Sequence, residues 1–153
     1  MHENQKIRGH VTITYRDVTD PNKPFVISVE EIENLIVKTG KNLEAHFLAG
    51  ASVGGITKIG FGTGGSVPTA VTDVGITGGV MKATTNTSYL ISDAAYNQAK
   101  FSATMLSEDG NGSTFNELGL FTANNTMFSR LCISPKAKDI TTEINADWVI
   151  SFQ

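Results

Sequence analysis

The stretch INADWVISF, Ile144 to Phe152, decides how the chain is read. Ile144, Ala146, Trp148, Ile150 and Phe152 alternate with Asn145, Asp147, Val149 and Ser151, which gathers the large apolar groups on one face. A period of two belongs to a strand with one buried side. Working outward, Val11, Ile13 and Tyr15 alternate with Thr12 and Thr14, and Phe25, Ile27 and Val29 repeat the pattern after the turn residues Asp20-Pro21-Asn22-Lys23-Pro24. These two segments read as a hairpin. Phe101, Ala103 and Met105 alternate as well, and Phe115 to Phe121 resumes a strand after Glu108-Asp109-Gly110-Asn111-Gly112, which predicts a second hairpin. Asn124-Asn125 then leads into Met127, Ser129, Leu131 and Ile133 as a meander, which Pro135 is expected to stop.

One stretch departs from this period. From Thr39 to Ala49, Leu43 and Phe47 stand four apart on one helical face, Thr39 is placed to cap the first turn, and Gly50 follows where helices commonly end. Gly54 to Thr87 is rich in Gly and Thr and predicts short strands and an extended loop. The expected fold is therefore mainly β, an antiparallel β-sandwich or barrel-like domain with one short α-helix at about Thr39–Ala49. With 153 residues and 16.4 kDa the chain suits a single domain over 1–153, its first few residues flexible. The one cysteine, Cys132, cannot form an internal disulfide, so packing must hold the fold.

A net charge of -3 and scattered Lys and Arg exclude a phosphate-binding stripe, so nucleic acid is not an expected partner. MHENQKIRGH lacks the apolar core of a signal peptide, and no apolar run is long enough to cross a bilayer as a helix, which sets the expectation of synthesis in a cytoplasm with no membrane partner. On that expectation the sequons at Asn86, Asn111 and Asn124 read as polar turns.

The most suggestive motif is KIGFGTGGS, in which Gly60, Gly62 and Gly65 spell the G-x-G-x-x-G of dinucleotide-binding loops. Such a loop must open a helix whose N-terminus binds the phosphate. Here Ser66-Val67-Pro68-Thr69-Ala70-Val71-Thr72 follows, and Pro68 among β-branched residues opposes a helix. The glycines are read as a strand end and turn. Gly40-Lys41 is no P-loop, because Asn42 follows and Leu35 occupies the upstream glycine position. Asp109-Gly110-Asn111-Gly112-Ser113 lacks the calcium-loop glycine at Thr114 and glutamate at Leu120, and reads as a turn. His2, His10 and His46 have no zinc spacing, Cys132 reads as a small core residue, and Glu30, Glu31 and Glu33 as a solvated edge. No catalytic, cofactor or metal residue is assigned.

A resemblance joins these pieces. Asn34 to Leu43, the segment Ile56-Thr57-Lys58-Ile59-Gly60-Phe61-Gly62-Thr63-Gly64-Gly65-Ser66-Val67-Pro68-Thr69, the pair Phe115-Asn116-Glu117-Leu118-Gly119-Leu120-Phe121 with Met127-Phe128-Ser129-Arg130, and Asp147 to Phe152 resemble, in this order, motifs of small structural virion proteins of tailed bacteriophages. One departure stands at Asp73, which Val74-Gly75-Ile76 follows in place of the threonine-leucine pair of many relatives. The resemblance implies a non-enzymatic virion component, assembled in the host cytoplasm into the tail, neck/collar or baseplate as a homo-oligomer, expected to be a trimer, beside other virion proteins. The alternatives are a capsid decoration protein, or a module binding a host glycan or protein through Gly54–Thr87. Interface residues are unassigned, with Tyr89, Tyr96 and Phe128 as candidate exposed anchors.

Overall fold

Trp148 is fully buried at the heart of the molecule, on the strand whose alternation is clearest. In the computed structural model, which describes residues 7–52, 54–89 and 97–152, that strand lies between two others. The elements are β1 (Ile7–Asp17), β2 (Phe25–Ile36), α1 (Lys38–Leu48), β3 (Ile56–Gly62), β4 (Val80–Ala83), β5 (Thr85–Tyr89), β6 (Gln98–Met105), β7 (Thr114–Thr122), β8 (Met127–Ala137) and β9 (Thr142–Phe152). All pairings are antiparallel, in the order β4-β3-β7-β8-β2-β1-β9-β6-β5.

The two ends of that order, β4 and β5, are consecutive in the chain, with only Thr84 between them. One run of backbone therefore lines both edges, and the sheet curls into a nearly closed barrel. The Thr84 N–H donates to the Thr57 carbonyl at 2.9 Å and Asn86 Nδ2 donates to the Ile56 carbonyl at 2.9 Å, which stitches the closure. Inside, Val11, Ile13, Phe61, Met105, Leu118, Leu120, Ile144 and Trp148 meet in one core, the inward set that the alternating segments supply. The chain is thus mainly β, with a single short helix among the described residues.

β1 and β2 form the expected hairpin, and β7 and β8 the expected meander, with Asn125 at φ 60 in its turn. Several other expectations are corrected. β6 and β7 are not a hairpin: β6 pairs with β5 and β9, whereas β7 lies between β3 and β8. The linker crosses from one half of the barrel to the other, and the buried Lys138 ammonium holds it by donating to the Ser107 carbonyl at 3.2 Å and Asn111 Oδ1 at 3.0 Å. Pro135 does not stop β8, because the register slips between Phe115 and Glu117 on β7, and proline is tolerated at such an irregularity. Thr39 does not cap α1. The helix begins at Lys38 after Val37, and Thr39 Oγ1 donates instead to the Met127 carbonyl at 2.6 Å, tying the helix to β8. Gly40 seats it there, since a Cβ at that position would collide with the Phe128 carbonyl. Gly50, at φ 75, ends the helix as expected.

The pattern Phe25, Ile27, Val29 does not face the core. Phe25, Val26, Ile27 and Val29 are 60%, 51%, 48% and 58% exposed. β2 pairs with β8 only at Leu35 and Ile36, so among the described residues the edge of Phe25–Glu33 away from β1 has no ladder partner. A side-chain pin marks where the strands join. Asn34 donates to Ser129, whose hydroxyl donates to the Leu35 carbonyl, and Asn34 Oδ1 accepts from Trp148 Nε1 at 3.2 Å. Gly9 stands opposite Asn34, where any Cβ would strike that amide. Among the described residues no helix is long and apolar enough to cross a membrane.

Candidate functional site

The residues of KIGFGTGGS leave β3 at Gly62 and enter the long connection 63–79, which doubles back over the outer face of β3, β7 and β8. That face is built to receive it. Gly60 and Gly119 are cross-strand partners, and a Cβ on either would meet the Ile76 side chain. Two bare backbones thus make a floor on which Ile76 lies beside Phe121, Met127 and Val37, a small second core.

Two buried charges hold the loop to this floor. Glu117 on β7 is 1% exposed and Arg130 on β8 is 4% exposed. Glu117 Oε1 accepts the N–H groups of Gly64 and Thr77, both at 2.7 Å, while Oε2 accepts from Arg130 Nε at 2.8 Å. The Gly65 N–H donates to Asn116 Oδ1 at 2.7 Å. Arg130 Nη1 reaches Asp73 Oδ2 at 3.0 Å, and Nη2 donates to the carbonyls of Gly64 and Val67, both at 3.1 Å. Burial alone would lower the Arg130 pKa, yet hydrogen bonds to Glu117 and Asp73 outweigh it and hold the guanidinium above its ordinary value. The loop is irregular in backbone but fixed at both ends of its path. It presents Val67, Val71 and Val74 to solvent, Val74 at 71% exposure.

The glycine motif therefore does cradle an anion, and the anion is the protein's own Glu117 carboxylate. Gly62 and Gly64 leave room for that carboxylate, and Gly65 lets the chain pass the Asn116 carbonyl. The other inspected residues are scattered. His10 and His46 are exposed on β1 and α1, and His2 lies outside the described residues. Asp109 lies in the crossover linker, where its pairing with Lys82 at 2.6 Å holds its carboxyl below the ordinary value. Among the described residues no group of three His, Cys, Asp or Glu side chains converges as a metal site would require.

Further expectations are corrected here. Phe128 is buried at 4% exposure, so it is a core residue and not an exposed anchor. Tyr96 and the side chain of Tyr89 lie outside the described residues. Cys132 is only partly buried, its Sγ 3.4 Å from the Val67 carbonyl under the loop. Glu30 is not simply solvated. Burial would raise its pKa, but Lys136 Nζ at 2.8 Å and the Ser134 N–H and hydroxyl outweigh that and hold it below the ordinary value.

Glu117, Arg130 and Asp73 appear in the sequence only inside longer motif strings. Their signal is a charge placed within an apolar run, Glu117 among Phe115 to Phe121 and Arg130 among Met127 to Ile133, where only a partner makes burial tolerable. None of the family models, curated proteins or solved structures compared with the chain matches it.

Proposed function

We propose that the protein is a non-enzymatic structural component of a tailed-bacteriophage virion, a homo-oligomer, expected as a trimer, of the tail, neck/collar or baseplate. The observation that carries this reading is the open edge of β2. Large apolar side chains from Phe25 to Val29 flank a strand edge that has no ladder partner among the described residues, a surface that a lone soluble domain normally guards and an assembling one covers with a neighbour. The clamp adds support. Three of the motif segments that resemble virion proteins meet at one place, where Glu117 and Arg130 are engaged in holding backbone. Charges used in this way are scaffolding.

The test is to purify particles from infected cells and locate the protein by mass spectrometry and electron microscopy. A symmetric ring or cluster on the tail, neck or baseplate is expected. Absence from particles together with a strictly monomeric mass would overturn the proposal. A place on the capsid surface would make the protein a decoration protein. Val67, Val71 and Val74, held outward by the clamp, favour a second reading in which 63–79 docks on a host or virion protein, and binding to host cells that Val74→Asp abolishes would select it.

A further inference from the structure

The mouth of the barrel beside α1 holds an apolar cavity of about 300 Å³, at the small end of the range for ligand pockets. Phe101, Phe128 and Ile150 line it from the core, and Phe47 and Phe152 stand half-exposed at its rim. One polar group in it is unexplained. Glu44, three residues from Phe47 on the same face of α1, lines the cavity with its Oε1 atom buried and, among the described residues, without a hydrogen-bond partner. Asn86, the other polar side chain of the lining, is already engaged with Ile56 and Thr84. Burial pushes the Glu44 carboxyl above its ordinary value, against the pull of Lys41. A buried acceptor left unmet is costly in a free protein, and an arriving donor removes that cost.

We propose that this cavity receives a protonated primary amine carried on an apolar stem, the stem lying against Phe101, Phe128 and Ile150 and the ammonium donating to Glu44 Oε1. The two halves of the site need such a ligand together. Apolar walls select the stem but cannot tell an amine from an alcohol, whereas a carboxylate in a low-dielectric mouth favours a cation over a neutral donor. Phe47 and Phe152 stand at the opening, where a ring face turned to that cation would attract it. The source is either a free alkylamine or a lysine side chain of a neighbouring protein, whose methylene stem and ammonium have the same chemistry. This inference does not depend on the protein's place in a virion.

The test is a titration of the full chain, followed by two-dimensional amide NMR near neutral pH, with n-octylamine and with n-octanol as the neutral match. Octylamine is expected to shift the amides of residues 44–47, 99–101 and 150–152 and to bind at least tenfold more tightly than octanol. Glu44→Gln is expected to remove that preference and leave octanol binding unchanged. Ala99→Leu, a smaller change at the cavity wall, is expected to weaken both ligands, and circular dichroism checks that each variant is folded. A lysine-containing peptide run in parallel distinguishes the two sources, and Glu44-dependent binding of either supports the proposal. Equal affinity for amine and alcohol, an octylamine affinity unchanged in Glu44→Gln, or no binding of either ligand up to its solubility would overturn it.

Discussion

Connection 63–79 and the strand segment Phe25–Glu33 are opposites in how their backbone is accounted for. The connection has no ladder of its own, yet Glu117 and Arg130 from buried positions and Asn116 from a half-buried one bind its N–H and carbonyl groups. The strand segment pairs with β1 along its length, interrupted once by a bulge at Ile27, yet among the described residues its other edge has no ladder partner and its apolar side chains stand in water. What fixes a segment is where its donors, acceptors and apolar groups go, and regular backbone geometry is a separate matter. The loop is the locked region, and the strand is the one left open to water.

The comparison breaks most severely at Arg130. Arg130→Met leaves the Glu117 carboxylate buried without its cation and is expected to lower unfolding stability by about 3–5 kcal/mol, read from urea titrations. Adding Glu117→Gln should recover part of that loss, because the two residues act as a pair. A loss near zero for Arg130→Met would mean that the floor of glycines and Ile76, and not the charges, holds the loop. Gly65→Ala is next. Its methyl must displace the Asn116 carbonyl, at an expected cost of about 1–3 kcal/mol. Hydrogen exchange should show the amides of Gly64 and Thr77 losing protection in the same variant, while the β2 amides are unchanged.

On the β2 side the effects are smaller. The Glu30 carboxyl titrates below its ordinary 4.5 in the folded protein. Its bonds to Lys136 and Ser134 therefore contribute stability above that value, and the contribution is lost as pH falls through the lowered folded value. Thermal melts of Glu30→Gln should fall below wild type by about 1 kcal/mol or less at neutral pH, since the pair is partly exposed. The two proteins should converge in acid. Ile27→Lys is expected to change monomer stability by no more than about 0.5 kcal/mol, while reducing concentration-dependent association measured by light scattering. A large destabilisation would show that Ile27 is packed within a single chain.

Much of the fold was legible because alternation is a local signal. Ile144 to Phe152, Val11 to Tyr15 and the Asn124-Asn125 turn each carry their own answer in a few residues. Partner choice is not local. Nothing in Phe101 to Phe121 says that β6 belongs with β9 and β7 with β3, since both strands are apolar and the residues Glu108 to Gly112 between them suit a hairpin turn. The exposure of Phe25 to Val29 was hidden for a related reason: alternation shows which residues share a face, not whether anything covers that face. The clamp was half visible. Its glycines stood out, but the anion they serve lies some fifty residues further on, the spacing from Gly64 to Glu117 being 53.

Ile7 lies opposite Phe152 in the ladder between β1 and β9. The earliest described strand thus finds one of its two neighbours in the last. During translation β1 can pair with β2 early, but its other side must wait until Thr142–Phe152 has been made, so the barrel cannot close before that strand is available. Such long sequence separations slow folding, because the entropy of closing a large loop is lost before the contacts form. A cell making many copies would hold, for that interval, a population of half-barrels with Trp148's place in the core still empty.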